Sequence, residues 1–153
     1  MKAPVSVTPG GGGGGGAELA SVTGLSLSPD GQRLLAFSMD HCLRAWDVRP
    51  FASGPGGEAA RCLALYRGAR NNFEMSLVRC AWSGDGERVA CGSADRLVRV
   101  WDAASARLDY ALPGHAGAVL GVAMHPSEPV IASGGADKRV LVGELGVVEA
   151  AAS

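Results

Sequence analysis

The sequence predicts an all-β fold made of consecutive, similar sheets of short antiparallel strands. Three segments of 26 residues, 22–47, 77–102 and 119–144, align with one another without gaps. Their first residues are 55 and 42 positions apart, and a period near 42 suits a repeat of four strands. Of the 153 residues, 23 are glycine and 8 are proline, which interrupt helices and supply tight turns. These features favour a β-propeller, of which the chain supplies about three blades of four antiparallel strands.

The strands can be placed in order along each aligned segment. Apolar residues open each one, such as Leu25 and Leu27 in the first, and their spacing puts them on one face of a strand. A turn follows at residues 29–31, 84–86 and 126–128, and then a short apolar run forms the second strand. A second turn and a third, alternating strand complete the segment. This second turn carries an aspartate at one aligned position, namely Asp40, Asp95 and Asp137.

The fourth strand of a blade fits in the connections between the segments. Residues 62–66 and 108–112 read as these strands. The first connection is 13 residues longer than the second (55 minus 42), and we place this excess in loops at 50–57 and 69–76. We therefore expect a glycine-rich segment at 1–20 and a repeat region at 21–146, with repeats at 21–49, 60–104 and 106–146. A tail follows at 147–153.

Composition and charge exclude several classes of function. Fourteen Lys and Arg against 15 Asp and Glu give a net charge of −1, without the basic excess that backbone-driven nucleic-acid binding requires. No apolar run is long enough for a membrane span, and no apolar region follows Lys2 as in a signal peptide. We expect a soluble intracellular protein that binds no membrane and no small-molecule substrate.

The cysteines and histidines do not form a metal-binding pattern. Cys42, Cys62, Cys80 and Cys91 lie in separate apolar segments, and none is spaced as Cys-x-x-Cys. The histidines at 41, 115 and 125 complete no zinc site with them. We expect reduced core cysteines, no metal and no cofactor.

The segments resemble WD40 repeats. Two of them end in Trp-Asp, at Trp46-Asp47 and Trp101-Asp102, and a Gly-His pair stands at 114–115, with His115 22 residues before Asp137. The resemblance implies a buried network of histidine, turn aspartate, strand serine and tryptophan, since buried polar groups persist only when they are paired. Its members would be Ser38, Asp40, Trp46 and Asp47; Ser93, Asp95, Trp101 and Asp102; and His115 and Asp137.

No repeat carries the whole network. The aligned positions of the third hold Gly135 for the serine and Gly143 for the tryptophan. The first lacks Gly-His, and in the second Asn71 or Asn72 is a candidate to replace the histidine. A general-base role for His115 with Asp137 is disfavoured, because no nucleophile elbow, phosphate loop or metalloprotease motif accompanies it. The glycine run at 10–16 reads as a linker, since no Lys-Ser/Thr follows it.

Three stretches, 38–51, 71–102 and 112–145, resemble the C-terminal repeats of a narrower family, the 40-kilodalton WD-repeat proteins of the U5 small nuclear ribonucleoprotein. The resemblance implies a nuclear, non-enzymatic spliceosome scaffold that contacts a Prp8-type protein and meets RNA only indirectly. Possible partner-binding residues are Arg49, Asn72, Phe73, Lys138 and Arg139. It also implies seven blades, so we expect a partial propeller, the C-terminal fragment of a complete one, that is marginally stable or aggregation-prone alone.

A rival hypothesis rests on four residues. Trp46, Asp47, Val48 and Arg49 fit the Trp-Asp-x-Arg pattern with which some WD40 proteins dock onto the adaptor of a cullin-RING ubiquitin ligase. The chain would then belong to a substrate receptor. The simpler interpretation is that Arg49 is a solvated residue after a blade-ending Trp-Asp. A generic WD40 adaptor of another complex is the remaining alternative.

Overall fold

A computed structural model describes residues 20–50, 61–72, 74 and 77–146. This part of the chain forms eleven strands in three antiparallel sheets, in which consecutive strands are neighbours. Blade one contains β1 (Val22–Leu27), β2 (Arg33–Ser38), β3 (Leu43–Asp47) and β4 (Cys62–Tyr66). Blade two contains β5 (Cys80–Trp82), β6 (Arg88–Cys91), β7 (Val98–Asp102) and β8 (Leu108–Leu112). Blade three contains β9 (Val119–Met124), β10 (Val130–Gly135) and β11 (Val140–Glu144).

The all-β class and the partial propeller are confirmed. The fourth strands predicted at 62–66 and 108–112 are β4 and β8. Of the two predicted loops, 50–57 lies almost wholly outside the described residues, and 69–76 lies partly outside them. The described residues include no helix long and apolar enough to cross a membrane.

Serine, aspartate and glycine close the first turn of blades one and two. The hydroxyl of Ser28 donates to Asp30, and the same carboxylate accepts from the backbone N–H of Gln32. Ser83 and Asp85 repeat this arrangement. Gly31 and Gly86 adopt φ of 70° and 72°, a region that glycine enters without strain. The aligned turn motifs therefore produce the same local structure.

The hydrophobic core lies between blades. One buried cluster joins blade one to blade two and includes Leu35, Phe37, Tyr66 and Trp101. A smaller cluster joins blade two to blade three. Because each blade buries its apolar face against the next, the terminal blades keep one face without a neighbour in the described chain. Val140 and Val142 of β11 are accordingly 74% and 70% exposed.

The cysteines differ from the expectation of four core residues. Cys80 and Cys91 are buried in the first cluster, and burial raises the pKa of the Cys80 thiol to about 12. Cys62 is exposed because β4 is the outermost strand of its blade, and Cys42 lies half-buried in the turn between β2 and β3. All four thiols are free.

Each sheet has two ends, which we call the upper and lower faces. The upper face contains the β2–β3, β6–β7 and β10–β11 turns (39–42, 92–97 and 136–139) and the connections 67–72 and 113–118 between blades. Backbone hydrogen bonds join each connection to the neighbouring turn, for example from Ala94 to Arg70 and from Ala136 to Ala118. The lower face contains the turns at 28–32, 83–87 and 125–129 and the ends of β3, β7 and β11.

Candidate functional site

Each of the three aligned aspartates of the upper face pairs with an arginine or a histidine side chain. Oδ2 of Asp40 lies 2.7 Å from Nη2 of Arg44. Asp95 accepts two hydrogen bonds from Arg99, at 2.9 and 2.5 Å. Arg44 and Arg99 stand four positions after their aspartates, and the third repeat has leucine there. The two repeats without Gly-His therefore supply an arginine as the partner of the aspartate. The aligned segments show this arginine, and the structure shows its contact.

In blade three the partner of the aspartate is histidine. Nδ1 of His115 lies 3.0 Å from Oδ1 of Asp137, and Nε2 lies 2.9 Å from Oγ of Ser133. The carboxylate also accepts the backbone N–H of Ala116 at 2.9 Å. That backbone bond is the main cause that lowers the pKa of Asp137; burial opposes it, and the His115 side chain adds to the lowering. Asp137 therefore accepts as a carboxylate, and Nδ1 of His115 is the donor.

The serine of this network differs from the sequence assignment. Ser133, two residues before Gly135, contacts His115, so the third repeat does have its serine. Gly135 instead leaves room for the pair. A Cβ atom on Gly135 would lie 2.7 Å from Nδ1 of His115 and 2.7 Å from Oδ1 of Asp137. Blades one and two carry serine at this position, Ser38 and Ser93.

The expected serine–tryptophan contacts of the other two blades are not formed either. The hydroxyl of Ser93 accepts the N–H of Arg70, and Nε1 of Trp101 donates to the carbonyl of Arg67 at 3.2 Å. Ser38 uses its backbone carbonyl, which accepts from Nδ2 of Asn71 at 2.7 Å. Trp46 is half-buried. The network therefore differs from blade to blade, with shared positions but different partners.

Asp95 shows how the arginine pairing stabilises a carboxylate. Burial alone would raise the pKa of Asp95, but hydrogen bonds from Arg99 and Ser93 outweigh it and hold the pKa below its ordinary value. The pair stays ionised at neutral pH, so its two charges cancel at the upper face.

The blade-ending aspartates lie at the lower face and bind locally. Asp47 accepts hydrogen bonds from the side chain of Arg49, the shortest at 2.6 Å. These bonds, together with the backbone N–H of Arg49, lower the pKa of Asp47 to about 2. Asp102 accepts from the backbone and hydroxyl of Ser105. The guanidinium of Arg49 is thus held by its own Trp-Asp sequence, although its side chain remains 57% exposed.

The predicted partner-binding residues are divided between the two faces. Asn72, Lys138 and Arg139 belong to the upper face, whereas Arg49 belongs to the lower face. Phe73 lies outside the described residues. The structure therefore does not bring the four described residues into one site.

An open groove of about 1070 Å³ separates the upper ends of blades one and two. Its walls are the turn at 39–42, the connection 67–72 and the side chains of Asp95 and Arg99. Asn71 closes its inner end by donating to blade one, and its backbone N–H donates to Nδ1 of His41 at 2.9 Å. Asn71 therefore does not replace the missing histidine on Asp95. Sequence alignment missed this role because the residue acts between blades.

The hydrogen bonds that link Ser133, His115 and Asp137 run in the same order as those of a Ser-His-Asp catalytic triad. A nucleophile must, however, reach a substrate, and Ser133 and His115 are each only 8% exposed. The three side chains satisfy one another beneath the turn at 136–139. Their arrangement fits a structural network of paired buried groups. Among the described residues, no cluster of His, Cys, Asp and Glu could hold a metal ion.

A family model supports the repeat structure. The model of the WD domain, G-beta repeat, matches residues 16–47, 61–102 and 107–142. The chain belongs to the WD-repeat family. The Ser133–His115–Asp137 contacts are thus those of one WD repeat, and the arginine pairs of Asp40 and Asp95 are a variation within the same chain.

The curated WD-repeat relatives include splicing proteins. The chain is 53% identical over 125 residues to the U5 small nuclear ribonucleoprotein 40 kDa protein of Homo sapiens, covering 82% of this chain and 34% of the relative. The Dictyostelium discoideum protein of the same name is 48% identical, covering 56% and 24%. The pre-mRNA-splicing factor cwf17 of Schizosaccharomyces pombe is 42% identical, covering 65% and 27%. The chain thus spans about a quarter to a third of the length of these relatives.

A solved structure agrees with the fold. The structure of U3-55K superposes with a TM-score of 0.68 at 27% sequence identity, covering 84% of this chain and 37% of the other. The three WD-repeat blades therefore correspond to part of a longer propeller.

Proposed function

We propose that this chain acts as a non-enzymatic WD-repeat scaffold in pre-mRNA splicing, as a component of a U5 small nuclear ribonucleoprotein in the nucleus. The observation that carries the proposal is the 53% identity over 82% of the chain to a relative with that name. The cwf17 relative, whose name is that of a splicing factor, supports the same assignment. The partners would be spliceosomal proteins, a large Prp8-type scaffold protein among them, with RNA contacted only indirectly.

The surface of the described chain suits a binding role. Its conspicuous polar network is buried and internally paired, whereas the turns of the upper face carry exposed cationic side chains, Lys138 and Arg139 among them. Loops on a rigid sheet scaffold are common sites of protein contact. We place partner binding at Asn72, Lys138 and Arg139 of the upper face, with Phe73 beside Asn72 in sequence. Arg49, at the lower face, would be a contact only under the ubiquitin-ligase alternative.

The ubiquitin-ligase alternative requires Arg49 to leave its own chain. Three hydrogen bonds join the Arg49 side chain to the carboxylate of Asp47, so an adaptor would have to compete with an ion pair that is already formed. The pairing favours the simpler interpretation, in which Arg49 stabilises the end of β3.

Affinity purification of the tagged full chain from nuclear extract tests the proposal. We expect U5 proteins among the recovered partners, and we expect Arg49→Ala to retain them. Recovery of a cullin adaptor without splicing proteins, lost in Arg49→Ala, would refute the splicing assignment. The control is Arg107→Ala, since Arg107 forms a similar local pair with Asp109 at 2.9 Å.

A further inference from the structure

The near-zero net charge of the chain conceals an uneven distribution between the two faces. Exposed cationic residues lie in the turns and connections of the upper face, and none of them forms an ion pair with another described residue. They are Arg67, Arg70, Arg96, Lys138 and Arg139. The acidic residues of the same turns, Asp40, Asp95 and Asp137, are already paired. Asp40 and Glu74 are the exposed acids in the described part of these loops, and Asp40 is paired with Arg44.

The lower face has the opposite balance. Glu87, Glu128 and Glu144 form no ion pair within the described chain, and Glu128 and Glu144 are exposed. Arg33 lies over the ring of Trp82, with 4.5 Å from its guanidinium carbon to the ring centroid, and Arg88 lies over Tyr110. These two arginines and Arg61, which forms no ion pair with a described residue, are outnumbered by the acids at the same end, which are Asp30, Asp85, Glu87, Glu128 and Glu144. Arg49 and Arg107 are paired with aspartates. The upper face is therefore positive, and the lower face is negative.

The groove between blades one and two lies within the positive face. Arg67 and Arg70 stand on its wall, both exposed, three positions apart in the connection 67–72. The carboxylates that line the groove are held by Arg44 and Arg99, so they do not neutralise this pair. Guanidinium groups in such a position bind carboxylates through paired hydrogen bonds.

Two observations favour a polypeptide over single-stranded RNA as the occupant. Single-stranded RNA is bound largely by stacking of bases on exposed aromatic rings. Among the described residues near the groove, the aromatic side chains of Tyr66 and Trp101 are only 0% and 1% exposed, so neither offers a stacking surface. In addition, the buried Oδ1 of Asn71 accepts no hydrogen bond from a described residue, and a peptide backbone supplies N–H donors for such an acceptor.

We propose that the groove between blades one and two docks an acidic segment of a protein partner, with Arg67 and Arg70 as the principal contacts. This inference deepens the proposed function and rests on it, because it identifies where a scaffold of this kind holds a partner. Long-range attraction by the rest of the positive face would speed the encounter.

The test uses the full chain and a fluorescein-labelled synthetic peptide rich in glutamate, with fluorescence anisotropy as the readout. A single-stranded oligoribonucleotide of equal net charge serves as the second probe. We expect the peptide to bind more tightly than the RNA, and its affinity to fall as salt is added. The double substitution R67E/R70E should weaken peptide binding about tenfold or more.

The matched control is R61E/R107E, which makes the same change in net charge at the lower face and should alter binding less than about twofold. If charge reversal disturbs folding, R67Q/R70Q is expected to give an intermediate loss. Equal loss in the upper-face and lower-face variants, no binding of the peptide, or tighter binding of the RNA would overturn the inference. Recovery of splicing proteins by both wild type and R67E/R70E would overturn it while leaving the proposed function in place.

Discussion

The contact between Gly135 and the His115–Asp137 pair makes a quantitative prediction. In Gly135→Ala, the new Cβ would lie 2.7 Å from both Nδ1 of His115 and Oδ1 of Asp137, and 3.2 Å from the carbonyl of Ala118. The φ of Gly135 lies outside the left-handed region, so the backbone itself admits alanine. The cost is therefore steric, and the two buried side chains must separate.

The size of the effect follows from what this movement breaks. A hydrogen bond to a charged group contributes about 1.5–3 kcal/mol, and overpacking of a buried site costs about 1–3 kcal/mol. The two costs overlap, because separating the pair also relieves the clash. We expect Gly135→Ala to lower the free energy of unfolding by about 2–3 kcal/mol.

The assay is urea unfolding of the full chain, followed by tryptophan fluorescence. Gly134→Ala is the control, since a Cβ there meets nothing within 4 Å, and its effect should stay within about 0.5 kcal/mol. In a His115→Ala background the cost of Gly135→Ala should shrink, because one of the two atoms at 2.7 Å is gone and Asp137 can move without breaking a hydrogen bond to the histidine. Equal stabilities of the two alanine variants, or an undiminished cost without His115, would refute the reasoning.

The remaining predictions concern other parts of the chain. Trp101→Phe should lower the free energy of unfolding by about 1–2 kcal/mol, because the carbonyl of Arg67 loses its donor, whereas Trp46→Phe should cost less in the same urea titration. The free energy of unfolding should fall as the pH drops from about 4 toward 2, because the hydrogen bonds from Arg49 lower the pKa of Asp47 from 3.8 to about 2. The contribution of this pair to stability is fully present above 3.8 and is lost toward 2. Asp47→Asn should flatten this part of the pH profile, and an unchanged profile would contradict the assignment. We expect the isolated chain to self-associate through the uncovered faces of its end blades, and analytical ultracentrifugation should show less self-association for Val140→Lys. A monomeric, cooperative thermal transition of the unmodified chain would count against this prediction.

Much of the fold follows from local sequence. The repeat period, the turn motifs at 29–31 and 84–86 and the apolar alternation predict individual strands, because each depends on residues close together in the chain. The fourth strands were also predictable, since apolar runs at 62–66 and 108–112 fill the connections between segments.

The partners of the polar side chains were less predictable. Ser133 and Gly135 lie two positions apart in β10, so they share one face of the strand, and the contact with His115 falls on Ser133 although the aligned position is 135. A gapless alignment carries no information about which of two residues on one face of a strand will contact a histidine from a neighbouring connection.

The sequence by itself determined the repeat, the strands and the membership of the WD-repeat family. The tertiary structure decided which groups meet: that Arg44 and Arg99 replace a histidine, that Asn71 joins blade one, and that unpaired arginines gather at one face. The physical reason is the range of the interactions. Strands and turns form from neighbouring residues, whereas the groove and the charge distribution depend on connections that bring separate blades together.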